Sequence, residues 1–282
     1  MSGQSGRLFG RDARLYVDNQ YGLFSAGRMG AMVGGNGPYA RFGHILSPFS
    51  CGWGNVGGHL QVMALGYEYV DNALAWASPK FAGFDATLQY SNGTDAKNFG
   101  TGVEGKSSVE RMYAGALRYT HNDLMVIGGI ERINYAQPSA NDLGRKDAIS
   151  YNLGGSYQAG WAKFYAYGQY FQNYTAAART TTFALPSGVD GWGANVGVDV
   201  PVSHGFIKAG LGYGDFKGSK DSDRTMKTWQ AAVGYLLPLS KRTSLYTAAN
   251  YINSRYSDAQ EAANPKAGKQ VIDVIAGLMH KF

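Results

Sequence analysis

The sequence predicts an all-β protein, an antiparallel sheet curled into a transmembrane barrel, and three observations carry that expectation. The first is alternation. FDATLQY (84–90), ISYNLGGSY (149–157), WGANVGVDV (192–200) and WQAAVGYLL (229–237) put large apolar or aromatic residues on one face and Gly, Ala, Ser, Asn, Gln, Asp or Thr on the other, the period of a strand. The second is composition: 40 Gly and 20 Tyr, with only 16% charged residues, against roughly a quarter in an ordinary soluble domain. A mean hydropathy of −0.26 excludes a bundle of membrane helices, and no run approaches the roughly 18 apolar residues that one spanning helix needs. Alternating strands average to a polar value, so a membrane barrel stays allowed. The third observation is connection length, which separates a barrel from a soluble sandwich of the same alternation.

Thirteen strands are expected, near 8–18, 21–29, 67–77, 84–92, 109–120, 124–135, 148–158, 161–173, 191–200, 205–215, 227–237, 243–254 and 270–282. Short connections (DNQYG, SPKFAG, THND, QAG, VSHG, LSKR) alternate with long polar ones, including NGTDAKNFGTGVEGKS, AQPSANDLGRK, TAAARTTTFALPSGVD and NSRYSDAQEAANPKAGK. Long at one end and short at the other is the pattern of outer-membrane barrels. Strands of about ten residues suit a tilted crossing of the hydrocarbon layer. Tyr90, Tyr119, Tyr135, Tyr157, Trp161, Tyr170, Trp192, Trp229, Tyr235 and Tyr251 fall near strand ends. Strand propensity alone accounts for any one of them; together with the loop pattern they favour interfacial girdles.

Several function classes are excluded or left without support. The single Cys51 permits no internal disulfide. His44, Cys51 and His59 match no zinc spacing, and no metal or cofactor is expected. GGNGP (34–38) lacks the Gly-Lys-Ser/Thr ending of a phosphate loop. Nucleic acid is not expected either, because the basic residues behind the net charge of +6 are dispersed. No nucleophile, base and orienting acid form a set, so no enzyme is expected. Glu131 and Arg132 sit together in an apolar strand, as an interface pair or as lumen residues. MSGQSGRLFG shows no export-signal arrangement. The last residues, VIDVIAGLMHKF (271–282), alternate with Ile272, Val274, Ala276, Leu278, His280 and Phe282 on one face.

Three stretches resemble the general porins of Gram-negative outer membranes, specifically the trimeric sixteen-stranded type of Neisseria and Burkholderia relatives. They are RLFGRDARLYVDNQYGLFSAGRM (7–29), NALAWASPKFAGFDATLQYS (72–91), and LSKRTSLYTAANYINS (239–254) with GLMHKF at the end. The resemblance spans residues 1–282 as a single porin barrel domain and implies an outer-membrane location in a Gram-negative bacterium. It implies about 13 of the 16 strands here, the family's first three preceding RLFGR, and therefore a chain that curls without closing. It further implies a homotrimer, contact with outer-membrane lipid and lipopolysaccharide, and passage of small ions and solutes. Phe282, Leu278, Ala276 and Val274 correspond to the terminal signal read by the outer-membrane assembly machinery.

In such porins the third long loop folds inward and narrows the channel, which places the constriction at 30–66. Between Asn19 and Tyr67 there is no Asp or Glu, whereas Arg28, Arg41, His44 and His59 all fall in that window. Constriction loops of this family commonly oppose acids to wall arginines. With no loop acid the basic wall is expected to be unopposed, and a narrow passage lined by one sign concentrates the opposite ion. The expected function is passive diffusion with a weak anion preference, with Arg28 first at the constriction, then Arg41 and His44. Strand parity adds Arg14, Arg118 and Lys208 to the pore lining. Lipopolysaccharide binding or simple solvation of loop ends is the alternative role for these cations. A non-conducting structural or adhesive barrel is the alternative function.

Overall fold

The computed structural model describes residues 9–43, 45–50, 52–94, 110–135, 146–265 and 267–281. Thirteen strands lie in one antiparallel sheet in sequence order. They are β1 (Ala13–Asn19), β2 (Gly22–Gly30), β3 (Tyr69–Ala77), β4 (Phe84–Asn92), β5 (Arg111–His121), β6 (Leu124–Asn134), β7 (Ala148–Ala159), β8 (Ala162–Ala177), β9 (Phe183–Val202), β10 (Gly205–Gly218), β11 (Thr225–Pro238), β12 (Thr243–Tyr256) and β13 (Gln270–His280). Every neighbouring pair is hydrogen-bonded, and among the described residues β1 does not pair with β13. One helix, α1 (Asp258–Ala263), forms in the β12–β13 connection, where the Ser257 side chain accepts from the Gln260 N–H and supplies the oxygen that an orphan first-turn donor requires.

The two faces of this sheet are reversed relative to a soluble protein. Along β7, Ser150, Asn152, Gly154 and Ser156 are buried, while Tyr151, Leu153 and Tyr157 face outward and exposed. Along β11 the buried residues are Thr228, Gln230 and Ala232, and the exposed ones are Trp229 and Val233. β13 continues the apolar outer face, with Ile272, Val274 and Leu278 each more than half exposed. A strand with polar groups inside and apolar groups outside is stable where the outside is hydrocarbon. Outward aromatic pairs join adjacent strands, including Tyr90 with Tyr113, Trp192 with Tyr213 and Trp229 with Tyr251.

The curl of the sheet follows from what its inner face touches. Residues 31–68, between β2 and β3, pack against that face from β4 to β12: the Met32 N–H reaches Gln89 of β4 and the Asn55 carbonyl reaches Asn250 of β12. On a flat sheet those strands would be about 38 Å apart, eight spacings of ~4.8 Å. One 38-residue segment meets both because the sheet wraps around it. The base of the segment is closed by the Ala31 N–H to the Glu68 carbonyl at 3.0 Å.

The strands extend beyond the expected limits in one region. Residues 174–190 read as loop by composition, yet β8 extends into them to Ala177 and β9 starts within them at Phe183, with Ala176 opposite Ala184 after register shifts between Phe171 and Ala176. Pro186 falls where the ladder skips from Ala184 to Val189, so its missing N–H breaks no pairing.

Candidate functional site

Residues 31–68 are held by side-chain amides of the wall. Gln89 accepts from the Met32 N–H at 2.8 Å and donates to the Gly30 carbonyl at 2.9 Å. Gln169 of β8 accepts from the Ala64 N–H at 3.0 Å, and Gln230 of β11 donates to the Gly58 carbonyl at 2.8 Å. Where a loop backbone inside a sheet has no strand alongside to pair with, these amides supply the partners it needs. Wall glycines let it lie close. A Cβ on Gly154 would collide with the Leu46 side chain, and one on Gly193 with the Val62 carbonyl. Phe42, Leu46, Val62 and Met63 pack there on Ala114, Ala116, Ile127 and Tyr167.

The wall cations face inward, and most meet an acid on the neighbouring strand. Arg28 sits in the β2–β3 bulge, where pairing shifts between Gly27 and Met29, and donates from Nη1 to Asp71 Oδ1 at 2.7 Å. Gly27 makes the bulge possible: its φ is +135°, and a Cβ there would collide with the Ala13 carbonyl. Arg118 lies directly opposite Asp85 across β4–β5, with Nε 2.9 Å from Oδ2. Lys208 lies opposite Asp199 across β9–β10, with Nζ 2.6 Å from Oδ1. The other Asp199 oxygen accepts from Tyr165 Oη at 2.9 Å. Arg14 donates to Ser25 Oγ at 2.8 Å and stands 3.2 Å from Asp12.

Arg41 differs. Its Nε donates to Thr87 Oγ1 at 2.8 Å and its Nη1 to the Pro38 and Ala40 carbonyls at 2.7 and 3.1 Å. Among the described residues no carboxylate is in ion-pair contact with it. Burial and then the nearby Arg118 charge push its guanidinium below the ordinary value, with Asp85 acting the other way; a guanidinium nevertheless stays charged at any working pH. His44 lies outside the described residues. His59 is buried against Tyr167, 5.5 Å between ring centres, and burial followed by the Arg179 charge pushes its imidazole down to about 3. It therefore contributes no charge near neutral pH.

An inward-folded segment whose Arg41 has no ion-pair partner among the described residues, inside a sheet with an apolar exterior, is a channel architecture, and the Gram-negative porin family matches residues 2–257. The chain belongs to the Gram-negative porins. An outer membrane porin protein of Bordetella pertussis is 27% identical over 313 aligned positions, covering 100% of this porin and 74% of the relative. The fold is shared with an anion-selective porin from Comamonas acidovorans, at a TM-score of 0.69, 22% identity and coverage of 95% of this chain and 77% of that one. It is also shared with a loop-deletion mutant of an outer membrane protein of Vibrio cholerae, at a TM-score of 0.65, 14% identity and coverage of 98% and 82%. The porin is an outer-membrane channel rather than an enzyme.

Sequence reading of this porin missed the wall acids. Acids are absent from residues 31–67, but Asp71, Asp85 and Asp199 reach the basic residues from adjacent strands. The expectation of an unopposed basic wall is corrected accordingly. One pair was accessible in principle: the tight β9–β10 hairpin sets Asp199 against Lys208 by register alone. Glu131 and Arg132 separate by parity. Glu131 is buried and accepts from Tyr174 Oη at 2.9 Å, while Arg132 is exposed and pairs with Asp147 at 3.0 Å.

Proposed function

We propose that this porin is a weakly anion-selective diffusion channel, with residues 30–66 as the constriction loop and Arg41 as the residue that sets the sign. The carrying observation is the inventory of partners around the inward cations. Arg28, Arg118 and Lys208 each have an acid within 3 Å, whereas Arg41 is held by a hydroxyl and two carbonyls. Neutral acceptors orient the guanidinium without cancelling its field, and in a narrow low-dielectric passage that field concentrates anions. Arg118 stands beside Arg41 and adds to the positive potential, partly offset by Asp85. The Comamonas neighbour, itself described as anion-selective, is in keeping with this sign. Arg14, Arg118 and Lys208 line the passage, and Arg28 braces the loop base through Asp71.

The apolar row Val274, Ala276 and Leu278 faces lipid in this reading, next to Phe282, which lies outside the described residues. Engagement of that row by the assembly machinery, contact with lipopolysaccharide and assembly as a homotrimer belong to the same proposal. The test is the reversal potential under a salt gradient in planar bilayers. An anion preference in the wild-type channel that is lost in Arg41→Ala supports it. A cation preference in the wild type, or an Arg41→Ala channel with unchanged selectivity, overturns it.

A further inference from the structure

We infer that the tip of the β8–β9 hairpin, Ala178–Thr182, is a second constriction element, which folds inward from the wall and clamps the loop's return arm. The clamp is a short run of strand-like pairing. Ala64 of the loop forms an antiparallel bridge with Ala177. The Leu65 N–H donates to the Ala176 carbonyl at 2.8 Å, the Ala178 N–H to the Met63 carbonyl at 3.0 Å and the Arg179 N–H to the Leu60 carbonyl at 2.8 Å. The Thr180 N–H donates to Gln61 Oε1 at 3.0 Å. Ala176, Ala178, Arg179 and Thr180 are thus each hydrogen-bonded to the loop's return arm, residues 60–65.

The far end of the tip lands on another part of the wall. Ser254 of β12 donates to Thr181 Oγ1 at 2.9 Å, and Tyr256 Oη donates to the Thr181 carbonyl at 2.9 Å. The tip leads into β9, three strands from β12 in the sheet, and it reaches β12 by folding inward over β10 and β11. Ala177, Ala178 and Phe183 are fully buried and join Val189, Phe216, Met226 and Tyr256 in one apolar cluster. Ala178 holds a φ of +58°, a backbone state that a non-glycine residue keeps only where its surroundings enforce it.

Two consequences follow. The open cross-section at this level is bounded by the tip as well as by the loop. The charge of the tip is carried by Arg179, whose guanidinium is paired with Glu68 at the loop's exit, so the element narrows the passage while adding little field of its own. The inference depends on the chain being a channel and not on which ion sign it prefers.

The test uses purified porin in planar bilayers. Thr181→Cys with Ser254→Cys, in a Cys51→Ser background, is expected to form a reducible intrachain cross-link under mild oxidation, with single-channel conductance the same before and after reduction. Replacing Ala178–Thr182 by two glycines is expected to raise conductance by about half, because a wider constriction passes more ions, and circular dichroism reports whether that variant retains its β fold. Glu68→Gln, which releases the Arg179 charge, is expected to raise the anion-to-cation permeability ratio at unchanged conductance. Failure of the cysteine pair to cross-link, or a folded shortened variant of unchanged conductance, overturns the inference. The reversal-potential test of Arg41 is untouched by either result.

Discussion

The wall and the loop of this porin carry the same kind of charge in opposite circumstances. On the wall, Arg28, Arg118 and Lys208 are matched by Asp71, Asp85 and Asp199 across adjacent strands. On the loop, Arg41 is buried more deeply than Arg28 or Arg118 and meets Thr87 and two carbonyls. A cross-strand ion pair fixes geometry and contributes little net field, whereas a cation held by neutral acceptors keeps its field and bears an uncompensated burial cost. The wall therefore pays for position and the loop supplies potential.

Breaking a wall pair on one side has the largest expected effect, and it falls on stability. Arg28→Ala removes the Nη1 contact at 2.7 Å from the buried Asp71 carboxylate and should destabilise the protein by about 3 kcal/mol, read as a lower thermal midpoint for loss of β structure. Removing the loop charge comes next: Arg41→Ala should reduce the anion-to-cation permeability ratio several-fold while lowering the thermal midpoint less than Arg28→Ala does, since the acceptors it leaves behind are neutral. Freeing a wall cation has the reverse sign. Asp85→Asn exposes the Arg118 charge beside Arg41 and should raise the anion preference about two-fold, a modest Coulombic gain at the effective dielectric of a wet site. The smallest effect belongs to the neutral double variant Arg28→Ala with Asp71→Asn, whose reversal potential should coincide with the wild type. A clear shift there would show that the wall pairs are not electrically silent.

The comparison extends to acid. His59 lies within the loop, buried against Tyr167 of the wall, with an imidazole held down at about 3, against an ordinary value of 6.5. The unfolded chain binds a proton at His59 over that interval and the folded chain does not, so the stability from its neutral, buried state is fully present above about 6.5 and declines as pH falls toward 3. His59→Phe, which keeps a ring beside Tyr167, should flatten that part of the pH dependence. Thermal midpoints of the two proteins measured between pH 7 and 4 on the order of half a unit apart check it: parallel curves would remove His59 from the account.

Much of the fold was legible because strand signals are local. Alternation and short turns placed thirteen strands near the observed thirteen, and the polar-in, apolar-out sense of β7 and β11 reads directly from their residues. The inward position of residues 31–68 was legible only through family resemblance, since glycine content alone does not say which side of a sheet a loop takes. The β8–β9 tip was missed because TAAARTTTFALPSGVD has loop-like composition, and its strands persist through tertiary contacts with the loop and β12. Of the acids, Asp85 opposes Arg118 across strands joined through residues 93–110, a connection long enough that sequence does not set the register.

By itself the sequence determined an antiparallel sheet of thirteen strands, an apolar exterior and an acid-free run from residue 31 to 67, because each depends on residues close in the chain. Only the tertiary structure decided which cations are cancelled and which is not. That depends on strand register, on the bulge that turns Arg28 toward Asp71 and on the curl that brings the Arg41 loop to Thr87, and charge compensation at 3 Å is settled by such placements rather than by composition.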